Sequence, residues 1–262
     1  FLIIKTSSRL GVLENFNRGL GQCDCDFIFF CDQDDVWKPE KIHETVKAME
    51  QYNAGVCFCN AALVNEELIL LKKHDLWDSI RYFPKNDISV FDVNSLPLIR
   101  ELIKHNIITG MCSCVRKSII NEMLPFSPNG IHDEWIAWNA SKFSAVVAIN
   151  KKLVYYRQHK NNVIGSKRSF KSSFEKRNQY HSNLKKRIKF LNDLETEGYS
   201  DEIANIIQKY RCFLHKRDDF LEKRSHFLSA FFLFFKYFAY ENRPFSIFVK
   251  DYYYRLFLSR HN

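Results

Sequence analysis

The sequence predicts an α/β fold, with a mixed, mainly parallel sheet flanked by helices, followed by a helical C-terminal region. Apolar strands over residues 27–31 and 55–59 enclose a helix over 39–51, at the spacing of a β-α-β unit. Beyond residue 170 the pattern is long, charged and helical. The chain has 262 residues, of which 46% are apolar and 26% charged, so disordered, collagen-like and disulfide-scaffold classes are excluded.

Hydrophobic spacing defines the first elements of the chain. Residues 1–4 are apolar and are interpreted as a strand, and residues 11–20 form a short amphipathic helix. The run over 27–31 is too short for a helix and is bounded by polar residues, which predicts a fully buried strand in the middle of a parallel sheet. The following helix has Pro39 near its first turn.

The middle of the chain continues the alternation of strands and helices, although residues 74–106 have no clear period. The predicted elements are a strand over 107–116 interrupted at Thr109-Gly110, helices over 117–123 and 131–141, and strands over 145–149 and 153–156. The last two are expected to form a hairpin or to pair with each other.

Charge divides the chain into two halves. Residues 1–150 hold 15 Lys/Arg against 19 Asp/Glu, and residues 151–262 hold 24 against 11, so the halves carry −4 and +13. The basic half is expected to meet an anionic partner. Its most apolar stretch, 226–240, is shorter than the roughly twenty residues needed to span a bilayer, but it is suited to the membrane interface.

The sequence contains eight cysteines and no recognisable secretory signal, which a truncated start could have removed; this combination predicts a reducing, cytoplasmic location. Six of them form C-x-C pairs, whose two members share a face in a strand. The simplest interpretation is small buried residues, and a metal site is the alternative, since zinc sites usually use C-x2-4-C spacing. The pairs are Cys23/Cys25, Cys57/Cys59 and Cys112/Cys114.

Three carboxylates, those of Asp32, Asp34 and Asp35, follow the strand over 27–31 directly. Ligands of open α/β sheets bind at the carboxyl ends of strands. Clustered carboxylates raise one another's pKa unless a cation offsets them, and a hard divalent ion that also binds substrate phosphates is suited to that role. The alternative is a solvated turn in which an Asp caps the next helix.

Residues 27–42, FIFFCDQDDVWKPEKI, resemble the metal-binding segment of family 2 glycosyltransferases of the GT-A fold, particularly bacterial rhamnosyltransferase-like members. Further segments resemble that family's motifs in the family's order: LGVLENFN at 10–17, ITGMCSCVR at 108–116, HDEW at 132–135 and YRQHKNN at 156–162. The resemblance implies a GT-A-like sheet in a partial catalytic domain over 1–165 and a helical, basic and aromatic region over 166–262. It also implies that an N-terminal part of the catalytic domain precedes Phe1, so that this chain alone is expected to bind nucleotide-sugar weakly or not at all.

The resemblance implies a metal-dependent transfer with inversion, in which Asp133 is the general base that deprotonates the acceptor hydroxyl. Mg²⁺ or Mn²⁺ is expected on Asp32 and Asp34, with His159 closing over the diphosphate and reaching the metal. The residues expected to bind donor or acceptor are Asp35, Thr109, Gly110, Trp135 and Arg157. Alternative readings are a surface histidine for His159, a core role for Trp135 and a simple turn at Gly110.

The expected partners are a nucleotide-sugar donor, with rhamnose as one candidate sugar, and a glycan or lipid-linked glycan acceptor of cell-surface polysaccharide synthesis. Aromatic residues over 227–240 and 245–257 are expected to meet an anionic membrane surface at the inner face of the plasma membrane, or else to pack on the catalytic domain. Nucleic-acid binding is not expected, since no recognition motif accompanies the basic residues. The competing class is an inactive fragment or a non-catalytic binding protein.

Overall fold

The computed structural model describes residues 10–71, 75–158, 173–222, 229–241 and 243–257, together with residues 3, 5 and 8; side chains are excepted at 173–177, 229–232 and 256–257. The chain divides into two compact units. One comprises Phe1–Leu98 with Asn106–Lys167, and the other comprises Ile99–His105 with Arg168–Asn262. The predicted domain boundary after residue 165 lies outside the described residues.

The first unit holds a mixed sheet and its helices. Its strands are β1 (Phe27–Phe29), β2 (Val36–Trp37), β3 (Ala54–Val64), β4 (Ile88–Phe91), β5 (Ser113–Arg116) and β6 (Ala145–Arg157). Its helices are α1 (Val12–Gly21), α2 (Lys41–Gln51), α3 (Leu76–Ile80), α4 (Leu96–Lys104, which extends into the second unit), α5 (Lys117–Ile120) and α6 (His132–Phe143), with 3-10 turns at Gly110–Cys112 and Asn121–Met123. The strand order is β1-β5-β3-β6-β2, and β4 also pairs with β6.

The predicted α/β class and the mixed sheet flanked by helices are confirmed, but parallel pairing does not predominate among the described strands. Among the described residues only β3 and β6 pair in parallel, over the longest register of the sheet, and the other four pairings are antiparallel. Strand β5 is inserted between β1 and β3, so the two strands of the predicted β-α-β unit run in the same direction without touching. The spacing of the apolar runs correctly indicates that the two strands are parallel to each other. It cannot show that β5, from a distant part of the chain, lies between them.

The expectation of a central parallel strand over 27–31 is wrong in the same way. Strand β1 is antiparallel to β5 and lies at the end of the strand order in the described part of the chain. Ile28 and Phe30 are buried, while the ring of Phe27 is covered by the Arg116 guanidinium at 4.9 Å and the ring of Phe29 lies 5.7 Å from that of Trp37. One face of the run is therefore buried and the other is partly covered, which explains why it is apolar through Phe30.

The two strands expected over 145–149 and 153–156 are one continuous strand, β6. The polar residues 150–152 between them are exposed and do not form a turn. They lie where β6 changes partner along one edge, since pairing with β4 ends at Ile149 and pairing with β2 begins at Val154. The register with β3 is also irregular here, since Cys59 pairs with Ile149 whereas Asn60 pairs with Lys152. A β-bulge in one continuous strand therefore explains the exposed polar residues as well as a turn would.

The core of the unit is built on β3 and β6, which are nearly continuously apolar where other strands and helices cover them. Gly55 of β3 is required by close approach, because a Cβ there would lie 2.1 Å from Ser144 Oγ at the end of α6. The cysteines of β3 and the Cys112–Cys114 segment are buried free thiols, as expected for small core residues. Those at Cys23 and Cys25 are not buried.

The second unit is helical, which confirms the expected C-terminal region: it contains α7 (Ser173–Asp193), α8 (Asp201–Leu221), α9 (Ser229–Tyr240) and α10 (Pro244–Phe257). The single long pattern predicted beyond residue 170 is divided into α7 and α8. Gly198 there has a φ of 85°, and the Ser200 hydroxyl caps α8 by accepting from the Ile203 N–H at 3.4 Å. No helix in the described ranges is long and apolar enough to cross a membrane.

A buried ionic network joins α7, α8, α9 and α10. Arg217 of α8 donates to Asp251 of α10, with 2.5 Å between Nε and Oδ2, and also pairs with Glu241. Tyr180 of α7 and Tyr237 of α9 donate their hydroxyls to the same Asp251 carboxylate. Because Asp251 is fully buried, its charge is tolerated only while these donors remain in place.

Candidate active site

The carboxylate of Asp133 is held at the start of α6 by backbone and side-chain donors. Gly110 N–H donates to its Oδ2 at 2.9 Å, and Asn106 Nδ2 donates to its Oδ1 at 3.1 Å. The Glu134 N–H donates to Oδ1 as well, at 2.6 Å. The TG segment and the HDEW segment, separate in sequence, therefore meet through this one carboxylate.

Burial raises the pKa of Asp133 from an ordinary value of 3.8 to about 7, although the Gly110 N–H opposes the shift. Its side chain is 7% exposed, so the charged form has lost most of its hydration. A carboxyl group whose pKa lies near neutrality is well matched to accept a proton from a hydroxyl. This pKa suits the proton-accepting role predicted for Asp133.

His132, next to Asp133 on α6, packs against aromatic side chains of other segments. Its ring lies 4.0 Å from that of Phe16 in α1 and 5.3 Å from that of Phe30. Phe30 precedes residues 32–35, the acidic segment, which contains Asp32, Asp34 and Asp35. Burial lowers the pKa of His132 to about 4, so the imidazole is neutral at physiological pH. A Cβ on Gly110 would lie 2.6 Å from His132 Nε2, which explains the glycine at that position.

The acidic segment follows β1 and is anchored at one carboxylate. Asp35 Oδ1 accepts from the Arg157 N–H at 2.9 Å, which ties the segment to the end of β6. Burial, together with Asp34 and Asp32, raises the pKa of Asp35 to about 6 against the opposing effect of that N–H. Burial and the neighbouring Asp34 also raise the pKa of Asp32.

Asp35 also has an unsatisfied oxygen, since its Oδ2 is buried and has no hydrogen-bond partner among the described residues. A buried carboxylate oxygen without a donor is costly unless a ligand hydroxyl or a cation completes it. The carboxylates of Asp32, Asp34 and Asp35 do not converge on one point as a set of three metal ligands in the described part of the chain. An ion here would instead take one or two of them and fill its remaining positions from phosphate oxygens.

The remaining predicted site residues have different surroundings. Thr109 is half-buried beside Gly110. The indole N–H of Trp135 is half-buried and donates to the Met123 carbonyl at 2.7 Å, so this edge of the ring is engaged within the protein. Arg157 donates from Nη1 to the Glu66 carbonyl at 3.1 Å. The prediction for His159 lies outside the described residues.

Two residues that bear on the site were not predicted. Lys41 is fully buried, donates from Nζ to the Met111 carbonyl at 2.7 Å and lies 3.5 Å from the centre of the Trp37 ring. It thereby links the acidic segment to the turn that carries Gly110. Asn106, whose amide contacts Asp133, occupies the loop before that turn. A lysine in the first turn of an amphipathic helix is usually solvated, so no local pattern signalled its burial.

Comparisons with known proteins found a matching family model and similar solved structures. Residues 1–124 match the family model described as glycosyl transferase family 2. Among solved structures, the chain is similar to S. aureus TarS 1–349 in complex with UDP-GlcNAc, at 13% identity and a TM-score of 0.47, covering 87% of this chain and 61% of TarS. A second structure of TarS 1–349 gives 11% identity and a TM-score of 0.42, covering 80% and 71% of the two chains. No curated protein matches the chain.

Proposed function

We propose that this chain is a family 2 glycosyltransferase of the GT-A type, which transfers a sugar from a nucleotide-sugar donor to a glycan or lipid-linked glycan with inversion. The observation that carries the proposal is the Asp133 carboxylate, held by Gly110 and Asn106 with a pKa of about 7. The family match over residues 1–124 supports the reaction class. Rhamnose and the N-acetylglucosamine carried by the TarS ligand are the first donor sugars to consider.

In the proposed reaction the acceptor hydroxyl attacks the anomeric carbon from the face opposite the nucleotide. Asp133 takes the hydroxyl proton, which a carboxylate already near its pKa does at little cost. Neutral His132 packs behind Gly110 and keeps the Gly110 N–H directed at the Asp133 carboxylate. Inversion follows from a single displacement with one base.

The acidic segment suits a divalent ion. Asp32 and Asp34 would hold Mg²⁺ or Mn²⁺, and the unsatisfied Oδ2 of buried Asp35 fits a ligand hydroxyl or the ion itself. When bound, the ion would neutralise the charge of the departing diphosphate. Asp35 would keep its other oxygen on the Arg157 N–H and so hold the segment against β6.

The proposal is tested by measuring nucleoside diphosphate release from UDP-GlcNAc and dTDP-rhamnose with Mn²⁺ or Mg²⁺ and glycan acceptors. The protein assayed includes the N-terminal part of the catalytic domain that the family resemblance implies. Asp133→Asn should lower kcat by about 10²- to 10⁴-fold, the usual contribution of a general base. Asp92→Asn, which changes an exposed carboxylate, is the matched control and should leave kcat unchanged. Transfer that survives Asp133→Asn would contradict the base assignment. Failure to bind or turn over any nucleotide-sugar would favour the non-catalytic binding protein.

A second proposal, attachment to an anionic membrane surface, is supported by α9 and α10. Phe235, Phe238 and Phe245 are 60%, 58% and 66% exposed, unusual for rings of this size. The exposed charged residues described on these helices and their connection are cations: Lys236, Arg243 and Lys250. The two carboxylates there, Glu241 and Asp251, pair with Arg217 instead. Aromatic rings beside cations suit an anionic headgroup layer.

Vesicle sedimentation tests this second proposal. The double variant Phe235→Ser/Phe245→Ser should lose most binding to vesicles rich in anionic phospholipid. Phe83→Ser, which removes a ring 69% exposed in the first unit, is the matched control and should bind as the unmodified chain does. Equal binding by all three proteins would contradict the membrane proposal and leave the transferase proposal untouched.

A further inference from the structure

Three potential metal ligands from two helices converge in the second unit, far along the chain from the acidic segment. His181 Nε2 of α7 lies 2.6 Å from Asp218 Oδ1 of α8 and 3.6 Å from Glu222 Oε1 at the end of the same helix. All three ligand atoms lie within 4.8 Å of one another, the one such group of three in the described part of the chain. We propose that His181, Asp218 and Glu222 bind a zinc-like divalent transition-metal ion that clamps α7 to α8.

The donor set is the first argument for a metal. One imidazole nitrogen and two carboxylate oxygens form a ligand set that zinc accepts in tetrahedral sites, with water in the fourth position. Zinc–ligand bonds of about 2.0–2.1 Å place tetrahedral ligands about 3.3 Å apart. The nitrogen–oxygen distances of 2.6 and 3.6 Å lie on either side of that separation, so small side-chain movements would create the site.

The packing of the helices is the second argument. Asp218 and Glu222 are four residues apart on α8, so they lie on one face and repel each other. Their side chains and that of His181 are only 15%, 19% and 23% exposed, and the two helix backbones fix their positions. A divalent ion would offset both negative charges at once, whereas an imidazole offers at most one positive charge.

A competing cation already contacts this group. Lys185 Nζ lies 2.5 Å from Glu222 Oε1, on the next turn of α7 after His181. The Lys185 side chain is 48% exposed, so it can leave for solvent when a metal arrives. The alternative is that no metal binds and that two ion pairs, His181 with Asp218 and Lys185 with Glu222, stabilise this contact. This proposal is independent of the proposed glycosyl transfer.

Zinc titration of the full, chelator-treated chain under reducing conditions separates the two readings. The unmodified chain and the control His215→Ala, which removes an exposed histidine from α8, should bind zinc equally. Loss of an outer-shell partner alone costs about 10- to 100-fold in affinity, so losing a ligand by His181→Ala should weaken binding by more than about 100-fold. Lys185→Met should tighten binding, a gain that misfolding cannot produce.

Cobalt distinguishes this group from the exposed thiols of Cys25, Cys31 and Cys212. Binding to His181 and the two carboxylates should produce tetrahedral visible bands without a thiolate charge-transfer band, and His181→Ala should abolish them. Equal zinc affinity of His181→Ala and the unmodified chain, unchanged affinity in Lys185→Met, or a thiolate band would overturn the proposal in favour of ion bridges only.

Discussion

Replacing Asp133 by asparagine should change how the stability of the protein depends on pH. The carboxyl group has a pKa of about 7 in the folded chain and an ordinary value of 3.8 when exposed. Between these values the unfolded chain has released this proton while the folded chain still holds it. The folded state therefore binds more protons, and its stability falls as pH rises towards 7. The asparagine variant carries no titrating group here and lacks this loss.

The structure sets the size of the effect. Between pH 5 and pH 8 the free energy of unfolding of the wild-type chain should fall by about 2.7 kcal/mol relative to that of Asp133→Asn. The fall amounts to about 1.4 kcal/mol for each pH unit between 5 and the folded-state pKa of about 7. The asparagine also lowers the free energy of unfolding at every pH, relative to the wild type with Asp133 protonated. Both oxygens of Asp133 accept from N–H groups of Gly110, Asn106 and Glu134, so the new NH₂ group must face a donor, at about 1–3 kcal/mol. The variant should thus be the less stable protein at pH 5 and equal or more stable at pH 8.

Urea denaturation at pH 5, 6, 7 and 8 measures this difference, with the m-value checked for constancy. Asp92→Asn, at an exposed carboxylate, should run parallel to the wild type at every pH. The reasoning fails if the stability difference between Asp133→Asn and the wild type changes by less than about 1 kcal/mol from pH 5 to pH 8, because that would mean an ordinary pKa for Asp133.

Two further substitutions test packing. Gly110→Ala places a Cβ 2.6 Å from His132 Nε2, so urea denaturation should show a loss of about 1–3 kcal/mol in the free energy of unfolding. The control Gly19→Ala, in open space on α1, should be neutral or stabilising. Equal effects at the two glycines would argue against the clash. Arg217→Met leaves the fully buried Asp251 carboxylate without its cation, so thermal or urea denaturation should show a loss of about 3–5 kcal/mol in the free energy of unfolding. A loss below about 1 kcal/mol would mean that solvent reaches that carboxylate.

Local patterns were sufficient for much of the fold. Helices over 11–20, 39–51, 117–123 and 131–141 were predicted within a few residues of α1, α2, α5 with its following 3-10 turn, and α6. A helix is closed by bonds between near neighbours, so spacing along the chain reports it. The pairing of β1 and the continuity of β6 were not predicted, since strand partners come from distant segments.

Some features of the candidate site were predicted from the sequence, whereas others appear only in the folded chain. The acidic segment was predicted from its position after an apolar strand, and Asp133 was predicted from the resemblance of the HDEW segment to a family motif. The contact of Gly110 with Asp133, the buried Lys41 and the meeting of His181 with Asp218 are relations between residues far apart in sequence.

The amino-acid order was thus enough to indicate the α/β class, the helical and basic C-terminal region, and the carboxylates on which a transferase would depend. Which strands pair, which carboxylate is buried deeply enough to have a pKa near 7, and which histidine faces two acids were decided by the packed chain alone. Hydrophobic period is a property of neighbours, whereas burial and charge interaction depend on whatever the rest of the fold brings within a few ångströms.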